Sequence, residues 1–167
     1  QVENEISNYW DKIDAFQTSL NNRKNDKIFR FYDGPPFPTG SPHYGNLLAG
    51  VIKDIVPRYW TMRGYYVERR FGWDVHGLPI EMEVQKNLNL EDPQQIDEYG
   101  IGKFNEACRT QVQTNTENWE KITRKIGRWV DFENDYKTMD IDFMESVWWV
   151  FKELWEKDLI YQDYKVL

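Results

Sequence analysis

The 14-residue stretch DGPPFPTGSPHYGN, residues 33–46, places His43 at the end of a loop rich in proline and glycine. The segment that follows, LLAGVIKDIVPRYWTMRG, has apolar residues at helical spacing, so a helix is expected to begin near His43. A histidine at such a turn can donate hydrogen bonds to phosphate oxygens, which the free N–H groups and positive dipole end of the helix also attract. Asn46 faces the same side of the first turn and offers two further donors. The stretch therefore predicts a site for phosphate groups.

Glycine and proline determine the shape of this loop. Gly45 has no side chain, so a flat ring such as a nucleobase could lie against its backbone. Gly34 and Gly40 allow tight turns, and three prolines within residues 35–38 stiffen the loop and reduce the entropy lost on binding. The dinucleotide fingerprint and the P-loop lysine are both absent from the sequence. The alternative that His43 only caps the helix therefore stays open.

A second polar loop, GWDVHG at residues 72–77, follows a segment predicted to be a strand. Asp74 could pair with the ammonium group of a ligand; alternatively, its carboxylate could bond the backbone of its own turn. His76 is interpreted as ordering the loop around Asp74, and Trp73 is placed in the same supporting role. Both histidines of the chain lie in these two loops.

The elements around the two loops predict one βαβ unit. Its parts are a strand over Ile28–Tyr32, a helix from His43 or Tyr44 to Arg63 that ends before Gly64, and a strand over Tyr65–Phe71. Such a crossover favours a parallel sheet, and both loops would then follow the carboxyl ends of its strands. Ligands of open α/β sheets bind at that edge.

The remaining segments are predicted to be mostly helical. One amphipathic helix is expected over residues 3–21. After Pro79, helices are expected over Ile80–Leu88, from Pro93 with Asp92 as its N-cap, over residues 101–129, and from Asp140 or Asp142. Leu159–Val166 is predicted to be a strand.

Composition limits the class of protein. The chain has 167 residues, of which 40% are hydrophobic and 16% aromatic, which is enough apolar material for a folded core. Its net charge of −7 argues against general electrostatic binding of nucleic acid. The single cysteine, Cys108, excludes an internal disulfide framework, fits a reducing compartment and is interpreted as an inert thiol. No apolar run of membrane-spanning length and no signal peptide is visible. The chain begins at Gln1, so a piece of a longer protein is expected.

Two further groups have a simple structural interpretation. Trp148, Trp149 and Trp155 could stack nucleic-acid bases, but at helical spacing they are expected to pack in the core or between domains. The basic stretch KITRKIGR, residues 121–128, could touch a tRNA, but it is expected to be a solvated helix face.

Four segments together resemble the isoleucyl-tRNA synthetases, which are class I aminoacyl-tRNA synthetases: GPPFPTGSPHYGN, KDIVPRY at 53–59, MRGYYV at 62–67 and GWDVHGLPIE at 72–81. The last segment distinguishes this family from leucyl and valyl enzymes, which tend to have GFDAFGLPAE and GTDHAG there. The PHYG form with LLAGVIKDIV resembles the eukaryote-like branch of the family. The resemblance extends over nearly the whole chain.

The resemblance implies roles for individual residues. On the ATP side, Gly40, His43, Gly45 and Asn46 would contact the nucleotide, and His43 and Asn46 would stabilise the transition state at the phosphates. On the amino-acid side, Pro35 would line the pocket and offer its carbonyl, and Asp74 would hold the ammonium group. The family usually has a second histidine where this chain has Asn46, and asparagine keeps a donor of similar reach but cannot carry charge.

The resemblance also implies an architecture and partners. The fold class would be α/β, the first half of a Rossmann-type parallel-sheet nucleotide-binding domain with helical parts on either side. Residues 1–24 would be an N-terminal helix, 25–139 the half-domain, and 140–167 a helix and strand that lead into an editing insertion. The cofactors would be ATP and the Mg²⁺ that it carries, and the partners isoleucine, tRNA(Ile) and the remainder of a cytoplasmic synthetase chain.

One departure leaves an alternative open. The family's Lys-Met-Ser-Lys-Ser loop does not occur in these residues, so the piece by itself is expected to be inactive. A truncated, non-catalytic paralogue that binds a nucleotide or a partner would fit the same motifs. A purely structural chain with vestigial loops is the third hypothesis.

Overall fold

The computed structural model describes residues 1–165. Within them the chain forms seven helices and four strands, in the order α1 (Val2–Lys12), α2 (Ala15–Asn21), β1 (Lys27–Ile28), α3 (Tyr44–Met62), β2 (Tyr65–Tyr66), β3 (Arg70–Trp73), α4 (Leu78–Leu88), α5 (Pro93–Tyr99), α6 (Ile101–Lys125), β4 (Asp131–Lys137) and α7 (Ile141–Glu156). The fold is mixed α/β with short parallel sheets, as the coarse prediction has it.

The strands form two separate parallel pairs. β1 pairs with β2 through Lys27–Tyr65 and Ile28–Tyr66, and α3 is the crossover between them, which confirms the predicted β–α–β crossover. The prediction that both loops follow strands of one sheet is wrong, because the second loop follows β3, which belongs to the other pair. β3 pairs with β4 in the register Arg70–Asp131 to Trp73–Lys137, with a bulge between Arg70 and Gly72. The architecture is therefore two small sheets that follow one another along the chain.

Both strands predicted for the βαβ unit were too long. Of Ile28–Tyr32 only Ile28 is in a strand, and Tyr32 is highly exposed. The segment Tyr65–Phe71 divides because Arg69 turns inward between β2 and β3, where its guanidinium donates to Thr61 Oγ1 at 2.6 Å. Burial lowers the pKa of Arg69 to about 10, so it stays charged at neutral pH.

The helix boundaries follow local signals with one exception. His43 is the N-cap of α3 and Gly64 follows its end with φ +88°, as predicted. The Asp92 side chain accepts a hydrogen bond from the Gln95 N–H at 2.9 Å and so caps α5. The single helix expected over residues 3–21 is wrong, since Asp14 adopts a left-handed conformation with φ 47° and separates α1 from α2.

Strand β4 has no counterpart in the sequence prediction. The helix expected over residues 101–129 ends at Lys125, because Gly127 takes φ +77° and the Arg128 N–H bonds back to the Thr123 carbonyl. The polar sequence DFENDYK then pairs with β3. Gly72 makes this pairing possible, since any Cβ there would clash with the phenol group of Tyr136.

The core lies around β3, β4 and α6. Its aromatic centre is Phe71, stacked on Phe132 with ring centroids 4.7 Å apart, and Trp73, which is fully buried. Trp119 of α6 packs on the same cluster. Because β3 belongs to this core, the loop that follows it starts from a rigid point.

The carboxyl-terminal part packs less closely. Trp148, Trp149 and Trp155 of α7 are 70%, 61% and 62% exposed, so core packing is wrong for them within the described residues and packing between domains stays a prediction. Residues 159–165 form no strand, and the end of the strand predicted over Leu159–Val166 lies outside the described residues. In the described part of the chain, no helix combines the length and apolar character needed to cross a membrane.

Candidate active site

The first loop, residues 33–42, is held mainly through its carbonyl groups. Proline has no N–H, so a loop with four prolines can offer neighbouring elements little except acceptors. The Gly34 carbonyl accepts from Lys53 Nζ at 2.7 Å, and the Pro36 carbonyl accepts from the Asp74 N–H at 2.9 Å. The Gly40 carbonyl accepts from the Trp119 indole at 2.8 Å. Donors from α3, α6 and the second loop thus set the course of the first.

A buried ion cluster lies at the start of this loop. The Asp33 carboxylate accepts from the Arg128 guanidinium and lies 2.5 Å from Lys53 Nζ. The side chains of Asp33 and Arg128 are only 5% and 7% exposed, while Lys53 is 28% exposed. The guanidinium also lies over the Phe71 ring at 5.2 Å from its centroid. This cluster connects the loop to α3 and to the segment between α6 and β4.

Tyr136 also contacts Asp33, through a hydrogen bond between two uncharged groups. Its hydroxyl donates to the Asp33 carbonyl at 3.4 Å. Burial, and then the negative charge of Asp33, raise the pKa of Tyr136, so its phenol keeps the proton that it donates. Strand β4 therefore also contacts the loop.

The first turn of α3 is closed by a reciprocal pair of hydrogen bonds. The His43 imidazole accepts from the Gly45 N–H at 3.1 Å, and the His43 N–H donates to the Asn46 side-chain oxygen at 3.0 Å. This capping box confirms that His43 caps the helix. Because Nδ1 is the acceptor, the proton of a neutral ring is on Nε2. The Nε2–H of His43 and the amide NH₂ of Asn46 are then still available as donors, so capping and anion binding are compatible.

Gly45 has a steric reason to be glycine. A Cβ at this position would lie 2.9 Å from Cε1 of His43 and 3.1 Å from its Nδ1, closer than side chains normally pack. A larger residue would therefore displace the imidazole from the cap.

Gly72 and Trp73 of the predicted second loop belong to β3, so the second loop comprises residues 74–77, and it joins the first loop at Asp74. Its N–H bonds the Pro36 carbonyl, and Thr138 Oγ1 accepts from the Val75 N–H at 3.0 Å. The same hydroxyl lies 2.9 Å from His76 Nδ1 and 3.5 Å from Asp74 Oδ1. Within the described residues the Asp74 carboxylate has no ion-pair partner, so it can accept a cation. His76 and Asp74 thus both lie beside the Thr138 hydroxyl, and the ordering role of His76 stays a prediction.

Trp73 is placed below the loop and not in it. Its ring is buried in the core, and its indole N–H donates to the Asp135 carboxylate at 2.7 Å. It therefore supports the loop through β3 and takes no position at the surface of the site.

A cavity of about 360 Å³ opens beside the first loop. Its walls include Pro35 and Asn46, predicted from the sequence, and Lys53, Trp119 and Arg128. The cavity thus brings together Pro35, predicted for the amino-acid side of the site, and Asn46, predicted for the ATP side. Asp74 lies next to the wall through its bond to Pro36, while Trp73 lines a different cavity.

The residues described offer no metal site of their own. Among residues 1–165, no group of three or more His, Cys, Asp or Glu side chains could hold a metal ion. The donors of the first turn of α3 are instead N–H groups, which suit an anion.

Residues 5–167 match the family model described as tRNA synthetases class I (I, L, M and V). The chain belongs to this family. It is 54% identical over 165 residues to the cytoplasmic isoleucine–tRNA ligase of Arabidopsis thaliana, covering 99% of this chain and 14% of that protein. It is also 54% identical over 166 residues to the isoleucine–tRNA ligase of Mycobacterium tuberculosis, again covering 99% of this chain and 16% of that protein. The chain thus spans about one-seventh of the length of these relatives.

A solved synthetase structure has the same fold. The ternary complex of the agnB2 LeuRS of Agrobacterium radiobacter K84 with tRNA and LeuAMS matches with a TM-score of 0.66 and 23% identity, over 96% of this chain and 18% of that chain. The predicted family resemblance is therefore confirmed. The assignment to a eukaryote-like branch stays a prediction.

Several residues of this candidate site were missed by sequence reasoning. Arg128 was grouped with a solvated basic helix face, and this is wrong for Arg128 while it holds for Arg124, which is exposed and paired with Glu120. Asp33 and Thr138 carried no motif of their own. The only available signal in the sequence was the charge of Asp33, which lies directly before Gly34 in an otherwise uncharged loop.

Proposed function

We propose that this chain is part of the amino-acid-activating region of an isoleucine–tRNA ligase. The whole enzyme would join isoleucine to ATP, forming isoleucyl-adenylate and pyrophosphate, and then transfer the isoleucyl group to tRNA(Ile). The observation that supports this most directly is the hydrogen bond between the Asp74 N–H and the Pro36 carbonyl. It places a carboxylate suited to an ammonium group beside a loop that ends at an anion-binding helix start.

The nucleotide would bind at the start of α3. His43 Nε2–H and the Asn46 amide would donate to the phosphates, next to the positive end of the helix dipole. Gly45 would lie beneath the adenine and ribose, and Gly40 would border the ATP. These donors would stabilise charge that develops on the phosphate oxygens as pyrophosphate leaves. Asn46 would serve in place of the histidine usual at this position.

Isoleucine would bind between the two loops. Asp74 would hold its ammonium group, and Pro35 would contact it through the backbone carbonyl and the ring. The isoleucine carboxylate oxygen would form the bond to the α-phosphorus of ATP as the bond to pyrophosphate breaks. No protein acid or base is required, so positioning and charge stabilisation would supply the catalysis.

The finer assignments follow from the same proposal. The β1–α3–β2 crossover supports the first half of a Rossmann-type domain, and the divisions 1–24, 25–139 and 140–167 remain predictions. Magnesium does not fit a protein-held site in the described residues, and we propose that it arrives bound to ATP. The relative named as cytoplasmic supports a cytoplasmic location. The remaining chain, with its own phosphate-binding residues, would complete the site.

The test is isoleucine-dependent ATP–pyrophosphate exchange with the full-length protein, using valine and leucine as competitors. His43→Ala should lower exchange by about 10²–10³-fold, as removal of one preorganised donor does in other enzymes. His43→Ser is the matched control, because serine is a preferred N-cap but its short side chain does not reach as far as the imidazole donor. Loss in both variants supports the phosphate role. Full activity of His43→Ser would reduce His43 to a cap, and exchange that does not depend on isoleucine would refute the proposed substrate.

A further inference from the structure

Thr138 follows the last residue of β4 and fixes the backbone on both sides of Asp74. Its N–H donates to the Trp73 carbonyl at 2.9 Å, and its hydroxyl accepts from the Val75 N–H at 3.0 Å. The residue is only 7% exposed, so neither bond competes with bulk water. With the Asp74 N–H bonded to Pro36, the backbone around this carboxylate is fixed from two directions.

The hydroxyl also lies between the two polar side chains of the second loop. Oγ1 is 2.9 Å from His76 Nδ1 and 3.5 Å from Asp74 Oδ1. A hydroxyl has one hydrogen to donate, and the shorter distance gives it to His76 when Nδ1 is unprotonated. The acceptor sites of the Asp74 carboxylate then remain available to a ligand.

We propose that Thr138 is a positioning residue for recognition of the amino acid's ammonium group, acting through Asp74. This inference rests on the proposed function and deepens it. The hydroxyl holds the Val75 amide and so fixes the backbone from which the Asp74 side chain projects. Its loss would leave a buried N–H unsatisfied and loosen the backbone that positions the carboxylate. Thr138 itself contacts no substrate.

The experiment is pyrophosphate exchange by the full-length protein at varied isoleucine and varied ATP. Thr138→Val keeps the shape of the side chain and removes the hydroxyl, while Thr138→Ser keeps the hydroxyl. We expect Thr138→Val to raise the KM for isoleucine by about 10–100-fold, the effect of losing one or two hydrogen bonds between the Asp74 carboxylate and the ammonium group. The KM for ATP should stay within about twofold of wild type. Thr138→Ser should restore the KM for isoleucine to within about threefold of wild type.

Thr116→Val is the matched control. Thr116 is equally buried, and its hydroxyl donates within α6 to the Gln113 carbonyl at 3.0 Å, away from the second loop. Both KM values should stay at wild-type levels in this variant. Far-UV circular dichroism shows whether each variant is folded, and Thr138→Ala is measured as a second hydroxyl-free variant if Thr138→Val is not.

A substrate analogue separates positioning from general damage. 3-Methylpentanoate has the side chain and carboxylate of isoleucine but no ammonium group, so it is used as a competitive inhibitor. We expect its inhibition constant to be unchanged by Thr138→Val, because Asp74 has nothing to hold. If Thr138→Val weakens the binding of isoleucine and of the analogue equally, or leaves the KM for isoleucine unchanged, the inference is overturned while the proposed function stands. Absence of isoleucine-dependent exchange in the wild type overturns both.

Discussion

Replacing Asp33 by asparagine removes the only negative charge in the buried ion cluster at the start of the first loop. Arg128 and Lys53 then face each other across a neutral amide, and Arg128 is 7% exposed. Water cannot replace the lost carboxylate at such a depth. The first loop should therefore separate more easily from β3 and α3, although no contact with a substrate has been changed.

The size of the effect follows from burial. Breaking a buried ion pair by removing one partner costs about 3–5 kcal/mol, because the other charge stays buried. The 28% exposed Lys53 can turn to water, so it adds little to this cost. Opening of the loop should become more frequent by about two to three and a half orders of magnitude, since about 1.4 kcal/mol corresponds to tenfold.

Hydrogen exchange of the Asp74 amide in the full-length protein measures this opening directly. That amide is bonded to the Pro36 carbonyl, so it exchanges only when the two loops separate. Asp26→Asn is the control, because it makes the same substitution in the Arg23–Asp26 pair, whose side chains are 38% and 40% exposed. Exposed pairs contribute about 0–1 kcal/mol, so exchange at Asp74 should not change.

The double variant Asp33→Asn/Arg128→Met completes the argument. Removing both charges leaves no unpaired buried ion, so it should cost less than the sum of the two single changes by about 1–3 kcal/mol. Additive effects, or an Asp74 exchange rate in Asp33→Asn within about threefold of wild type, would show that the ion cluster does not hold the loop.

Two further predictions concern single side chains. Gly45→Ala should lower isoleucine-dependent exchange at least as much as His43→Ser, since the new Cβ would lie 2.9 Å from the imidazole and displace it; wild-type activity would contradict this steric argument. Burial, and then the Glu81 carboxylate, raise the pKa of Cys108, so less thiolate is present at pH 8 than in a free cysteine. Iodoacetamide should therefore modify Cys108 more slowly than a cysteine peptide, as measured by mass spectrometry of the tryptic peptide, and an equal rate would contradict the assignment.

Local sequence determined the elements whose boundaries depend on neighbouring residues. Asp92 followed by Pro93 predicted the start of α5, and His43 and Gly64 predicted the two ends of α3. These signals act within one turn of backbone, through caps and allowed φ values, so the sequence contains all the information that they need. The same reasoning failed at Asp14, because apolar spacing continues across a left-handed residue.

Tertiary structure decided which distant residues complete the site. Arg128 reaches Asp33 across 95 positions, and Thr138 contacts Asp74 across 64 positions. β4 becomes a strand only because β3 offers it a partner and Gly72 leaves room for Tyr136. The sequence alone thus determined the two loops and the helix start that would bind the ligands. The residues that hold these loops in place depend on pairing between segments far apart in sequence, because burial and long-range contacts give a charged or hydroxyl side chain its role.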